Sequence, residues 1–325
     1  MKILVFEWLT SGGRWHDGVV PDWNTSIHAQ GLQMLKAITE DFLEYGAGVV
    51  VPLDERLGDR IPGCSGPEIH PVGESDLLPE CLGRLAEGAD CVMLIAPESQ
   101  SCLLKCLEWI EPFHNKLISP GHRFVEIASN KEETFQYLNA HGFDSIPDGM
   151  NFANLILENN ELPDTPHVIK PILGAGSEGV QLLTDRVNRD RGIRRSPDQY
   201  WVEPFIRGMP VSVSVLCGQV GNQFLPPTRQ VFDQEPFGNY VKASYPIEPD
   251  LADRATRVAQ TAIKTMPNTQ GYVGIDIVVS DQGERSDSLI EINPRLTMSY
   301  LKLRDVCHEN LAGRILELAN CTNGK

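Results

Sequence analysis

A chain of 325 residues with 41% hydrophobic content can bury a sizeable core, and it is too long for one typical domain, so two or three are expected. Its formal charge of −16 would repel a phosphate backbone, which argues against nucleic acid as a partner. Charged residues make up 22%, no long low-complexity run occurs, and no stretch approaches the roughly 20 apolar residues of a membrane span, so a folded soluble protein is expected. The eight cysteines (64, 81, 91, 102, 106, 217, 307 and 321) form no CxxC pair and no Cys/His metal spacing. They read as reduced, buried thiols, with Cys102 and Cys106 at helical spacing.

In chain order, Met1 to Phe6 is apolar for only a few residues before Glu7, and reads as a first strand rather than a leader; a reducing cytoplasm follows as the expected location. Gly12 and Gly13 mark a loop. Ile27 to Tyr45 carries helical spacing through Leu32, Leu35, Ile38 and Phe42 and stops at Gly46. Val49 to Val51 is a strand ended by Pro52, and residues 77–87 read as a helix. Cys91 to Ile95 is a buried strand, Leu103 to Ile110 a helix, and Leu117 and Ile118 begin a further strand. Such β/α alternation over residues 1–120 predicts a parallel sheet covered by helices, with its ligand site at the carboxyl ends of the strands near Glu7, Pro97 and Glu98.

A second unit is expected over 121–208. It holds a helix from Glu132 to His141, whose start at Ser129 with Glu132 three residues later suits a capping box. Strands follow over Val168 to Leu173 and Tyr200 to Ile206. The third unit, 209–325, is strand-rich and then helical. Val211 to Leu216 alternates, Leu251 to Met266 is an amphipathic helix, and Tyr272 to Val279 and Leu289 to Ile292 are neighbouring strands joined by a polar turn.

Chemistry concentrates in that last pair of strands. Glu291 and Asn293 are two apart and share a face, with Asp276 in the middle of the neighbouring strand. Acids flanked by apolar strand residues are costly unless compensated, and two carboxylates with an amide oxygen are hard donors suited to Mg2+. Arg295 follows, able to grip a phosphate or carboxylate in a fork. Lys170 lies inside an apolar strand and needs an anionic partner. Four residues on, the loop 174–179 is rich in Gly and Ser, and its backbone N–H groups could cradle phosphate. Read literally, this loop is also GxGxxG, and Val180, Leu183 and Val187 would allow the helix a dinucleotide fold requires. Trp201 to Gly208 offers one acid, Glu203, at a strand end that suits an adenine edge or nothing in particular, and Lys131 by itself reads as a surface charge.

Taken in order, Lys131, Ile169-Lys170-Pro171 with its glycine loop, Val202-Glu203-Pro204-Phe205, Asp276 and Glu291 to Arg295 resemble the ATP-grasp superfamily over the whole chain. The resemblance implies an α/β fold with a leading parallel domain and two α+β lobes that clasp ATP. It implies that Lys131 and Lys170 contact phosphates, that Gly174, Gly176 and Ser177 belong to a lid, and that Glu203 with the backbone of Pro204 and Phe205 holds adenine. Asp276, Glu291 and Asn293 would bind two Mg2+ (or Mn2+), and Arg295 with Arg229 would stabilise the transferring phosphoryl group. The family often has Glu two residues after the hinge glycine; here that position is Pro210. The segment from Phe6 to Gly13 resembles tyramine–glutamate ligases of methanofuran-type cofactor synthesis, which implies the glutamate γ-carboxylate as acyl donor and tyramine as amine. Glu7, with help from His28 and Glu98, would then hold the amine, and Thr297 and Ser299 the amino acid. Small-molecule substrates are the implied partners, with a homodimer as one assembly. The D-alanine–D-alanine ligases share the layout, and a ligase of that kind for another pair of amino acid and amine is the alternative, but this chain lacks an obvious match to their dipeptide-site segments. Two other readings stay open: an NAD-binding oxidoreductase, and a nucleotide-binding module without catalysis.

Overall fold

The computed structural model describes residues 1–18, 25–153, 165–174, 176, 179–183, 199–234 and 238–321. The first sheet is parallel, in the order β3-β2-β1-β4, built from β1 (Lys2–Glu7), β2 (Gly48–Asp54), β3 (Glu68–Val72) and β4 (Cys91–Ile95). Its central strands are near-continuous apolar runs because both faces are covered. Alternate residues of β1 serve different cores: Ile3 and Val5 pack with Leu35, Ile38 and Phe42 of α2 (Ser26–Glu44), after the short α1 (Gly13–His16). Leu4 and Phe6 pack with Leu82 of α3 (Leu78–Glu87) and Leu103 of α4 (Cys102–Trp109). Six of the cysteines are buried in such cores.

Two local expectations change here. Pro52 does not end β2, which runs on to Asp54. Beyond Val50 the strand pairs with β3 and no longer with β1, so one side is an edge where a missing N–H is tolerated. Leu117 and Ile118 make only an isolated bridge, Val92 to Leu117, rather than a strand. The Ser119 hydroxyl takes over the ladder, accepting from Leu94 N at 2.9 Å, and Pro120 follows without a donor.

Helices α5 (His122–Ser129) and α6 (Lys131–Ala140) come next. The cap of α6 is Asn130 and not Ser129: its side-chain oxygen accepts from the N–H groups of Glu132 and Glu133 at 3.0 and 3.1 Å. That cap sets Lys131 at the first helical position. A small antiparallel sheet follows, in the order β5-β8-β6-β7, from β5 (Met150–Asn151), β6 (His167–Pro171), β7 (Gln181–Leu183) and β8 (Tyr200–Pro204).

The third sheet is antiparallel, in the order β12-β11-β9-β13-β14, with β10 (Gln223–Phe224) on β9. It comprises β9 (Gly208–Cys217), β11 (Thr228–Phe232), β12 (Tyr240–Ser244), β13 (Gly271–Ser280) and β14 (Ser288–Asn293). The Val/Ser alternation of β9 now has a cause. Val211, Val213 and Val215 enter a core with α5 and with α7 (Pro249–Thr265), while Ser212 turns to the opposite face and lines a cleft. Helices α8 (Ser299–Val306) and α9 (Leu311–Leu318) return to the first sheet, so Tyr300, Leu303, Leu311 and Ile315 share a core with Ile3 and Val5.

Candidate active site

The cleft lies between the small sheet and the third sheet. Its floor is the β13–β14 hairpin, in which Asp276 and Glu291 are direct cross-strand partners and Asn293 faces Gly274. Directly opposed residues share a face, so both carboxylates and the amide point the same way. Gly274 permits this: a Cβ there would lie 2.5 Å from Thr297 Cγ2, and the chain after β14 could not fold back over the strand. Asn293 Nδ2 and Gln230 Nε2 each donate to Asp276, at 3.0 Å. Burial, and then the opposing Glu291 carboxylate, push Asp276 up to about 6. A cation between the acids would relieve that repulsion.

Lys131, from the start of α6, donates to Glu291 Oε1 at 3.1 Å and to the Gly174 carbonyl at 3.2 Å, joining the acidic floor to the glycine-rich turn. Lys170 is buried, and reaches Glu203 Oε1 at 2.6 Å and the Ile290 carbonyl at 3.2 Å. Arg295 forks onto Glu98 at 2.9 and 3.0 Å, so the turn after β4 in the first sheet meets the end of β14. Every cation lining the cleft among the described residues is thus held by a carboxylate.

Several sequence expectations meet a different geometry. Glu203, expected at an adenine edge, lines the cleft, but both its carboxylate oxygens are engaged, Oε1 by Lys170 and Oε2 by Trp201 Nε1 at 3.1 Å. What it leaves at the cleft wall is the chain from Glu203 through Pro204 and Phe205 to Ile206, with Pro210 beyond. The glycine loop does not open a helix. β7 pairs antiparallel with β6, His167 against Leu183 and Ile169 against Gln181. Residues 181–183, just past the loop, are therefore a strand and not the start of a helix, Gly176 and Gly179 have positive φ, and the dinucleotide fingerprint fails for want of a helix there. Gly174 and Gly176 line the cleft; Ser177 lies outside the described residues.

Glu7 does not line the cleft. It is buried beneath α2, where a Cβ on Gly31 would come within 2.9 Å of its carboxylate, and Thr10 N and Oγ1 donate to it at 2.8 and 2.7 Å. Burial raises its carboxyl above the ordinary range. Glu98 is engaged by Arg295, and His28 Nδ1 lies 2.6 Å from Thr25 Oγ1. Arg229 is exposed and absent from the lining, because strand alternation gives the cleft to its neighbours Gln230 and Phe232. Thr297 and Ser299 do line it, with Thr297 Oγ1 at 3.1 Å from the Tyr272 hydroxyl and Ser299 Oγ at 3.5 Å from Thr228 Oγ1. Sequence reasoning missed Gln230, Phe232 and Tyr240; the period of two over Thr228 to Phe232 was the available signal.

The donors fit an oxygen-loving dication. Among the described residues no group of three or more His, Cys, Asp or Glu converges, so the set is two carboxylates plus the Asn293 oxygen. Mg2+ asks for six oxygens and commonly takes the remainder from phosphate and water. The cleft between two β-sheets thus brings together a pair of acids, lysines on either side, and Gly174 and Gly176 of the β6–β7 turn.

That architecture is the ATP-grasp fold. The ATP-grasp domain pattern matches residues 128–299, more than half of the chain, and the chain belongs to this family. Its enzyme class is that of an ATP-grasp ligase forming C–N bonds, which typically release ADP. The chain is similar along nearly its whole length to the tyramine–L-glutamate ligase of Methanocaldococcus jannaschii, at 25% identity over 98% of this chain and 89% of that protein. A shorter match, 29% identical over 54% of this chain and 60% of the relative, is to the D-alanine–D-alanine ligase of Rhizorhabdus wittichii. Among solved structures, an L-amino acid ligase from Bacillus licheniformis superposes with a TM-score of 0.69 at 16% identity, covering 98% of this chain and 73% of that one. Among the described residues no helix is long and apolar enough to cross a membrane.

Proposed function

We propose that the protein joins the γ-carboxylate of L-glutamate to tyramine through an acyl phosphate, with ATP as phosphoryl donor. The observation that carries the ligase chemistry is the cross-strand pair Asp276 and Glu291, with Asn293, set beside Lys131 and near Lys170. The similarity along both chains to a ligase of that name supports the substrate pair.

A carboxylate does not acylate an amine unaided, because oxide is a poor leaving group. In the proposed reaction a carboxylate oxygen attacks the γ-phosphorus and ADP departs. The amine then attacks the acyl carbon, and phosphate leaves with the carboxylate oxygen, the amine losing a proton. Catalysis is positioning plus neutralisation of charge. Asp276, Glu291 and Asn293 would hold Mg2+, which when bound would supply positive charge to offset that of the phosphates. Lys131 would move from Glu291 toward a phosphate oxygen, a short swing because the Gly174 carbonyl already orients it. Lys170, fixed by Glu203, would meet the phosphate chain from the small sheet. Arg295, oriented by Glu98, would face the developing charge on the phosphoryl group. The hairpin carrying residues 174–179 would exclude water that hydrolyses the acyl phosphate.

The test is a screen of amino acids against amines, read by ADP release and by the mass of the amide. ADP release requiring both L-glutamate and tyramine, with γ-glutamyltyramine as product, is expected. Full ADP release with either substrate alone, or an amide only with another pair, would refute the substrate assignment.

A further inference from the structure

One wall of the cleft is not used by the phosphoryl chemistry. Phe232 ends β11 and Tyr240 opens β12, and the two are register partners, so their side chains share a face. Their rings meet edge to face, with centroids 6.3 Å apart and planes at 84°. A shift of register between Val231 and Phe232 brings them opposite each other. The hairpin is braced by Asp233, whose carboxylate accepts from the Asn239 backbone at 2.7 Å and its side chain at 3.0 Å. The two rings thus form one continuous aromatic surface on the cleft wall.

Its position is set by the strand. Gln230 bonds to Asp276, and Phe232 lies two residues further along the same face, a step of about 6.6 Å. Half-buried rings in a cleft keep apolar surface in contact with water until a ligand covers it. The proposed adenine position is elsewhere, along Glu203 to Ile206 on the small sheet, and phosphates would not cover apolar rings. The remaining claimant is the second substrate, with its amine near the acids and a ring one short tether away. The cleft's cations bear on what else it carries. Lys131, Lys170 and Arg295 are each paired with a carboxylate and, in the reading above, serve the phosphates, so an acceptor bearing its own α-carboxylate would compete with ATP and glutamate for the cations among the described lining residues.

We infer that Phe232 and Tyr240 form the acceptor subsite and select a primary amine carrying an aromatic ring on a short tether, over both aliphatic amines and the corresponding amino acids. This rests on the ligase reading above, and the test separates the two. With the full chain, ATP, Mg2+ and L-glutamate, amide formation is compared for tyramine, phenethylamine, isoamylamine and L-tyrosine. Both aromatic amines are expected to exceed the other two in kcat/KM by at least about 10-fold. Phe232→Leu and Tyr240→Leu should raise the tyramine KM by about 10-fold or more and narrow the aromatic preference, with KM for ATP and glutamate changed less than about 2-fold. Tyr240→Phe keeps the ring and should keep the preference, which guards against a folding defect in the leucine variants. Equal use of isoamylamine or L-tyrosine, a preference unmoved in the leucine variants, or a parallel rise in the ATP KM would overturn the inference and leave the ligase standing. No amide with any amine would remove the ligase reading and the inference with it.

Discussion

Asp276 and Glu291 have opposite needs in the free protein and in the working enzyme. Side by side on a buried hairpin they repel, and the fold tolerates this through Gln230, Asn293 and Lys131. Replacing Glu291 with Ala should cost about 3 kcal/mol of transition-state stabilisation, a loss of more than about 100-fold in kcat. Thermal stability should change little, since relief of the like-charge repulsion with Asp276 offsets the loss of Lys131's partner. Steady-state ADP release alongside a melting curve checks both, and turnover near that of the parent would contradict the assignment. Glu98 presents the converse case. Its removal in Glu98→Ala leaves the partly buried Arg295 guanidinium without a counter-charge, which should cost about 3 kcal/mol of stability. Denaturant unfolding measures this, and a loss below about 1 kcal/mol would show that the pair is not holding the two sheets together.

The β13–β14 hairpin is the element on which the site depends. Its turn is closed by Asp287, which accepts from Arg254 of α7 at 2.6 and 2.9 Å and from Ser280 N at 2.9 Å, while Arg254 also donates to the Ser280 carbonyl at 2.8 Å. Asp287→Ala should therefore both destabilise, by about 3–5 kcal/mol, and lower kcat, because the register that opposes Asp276 to Glu291 loses its far anchor. A variant that loses stability but keeps kcat at low temperature would show that the register is fixed elsewhere. This hairpin was legible in the sequence, since an acid within each of two neighbouring apolar strands, with an amide two residues beyond one of them, has few innocent explanations. The β6–β7 turn was not. Its glycines and apolar spacing suit a helix as well as a strand, and only pairing with His167 to Ile169 decides. The cap of α6 was misplaced by one residue for a related reason: Ser129 and Asn130 are both good caps, and tertiary packing buries the first.

On the scale of the whole molecule, the chain's two ends share one core. Ile3, Val5 and Leu35 pack with Tyr300, Leu303 and Ile315, and Arg304 bonds Glu40 and Asp41 across the same seam at 3.0 and 2.5 Å. A fragment of residues 1–120 should therefore fail to melt cooperatively, and a sharp calorimetric transition from it would contradict the shared core. The alternation of strands and helices foretold the parallel sheet. It could not foretell this return of α8 and α9, nor that Glu7 would be sealed under Gly31, because both depend on contacts between segments far apart in sequence. The claim beneath all of this is that a carboxylate oxygen of the substrate attacks phosphorus. Glutamate labelled with oxygen-18 in its γ-carboxylate, turned over with ATP and tyramine, tests it directly by mass spectrometry of the released phosphate. One labelled oxygen per phosphate is the predicted result, and unlabelled phosphate accompanying stoichiometric amide would contradict the acyl phosphate.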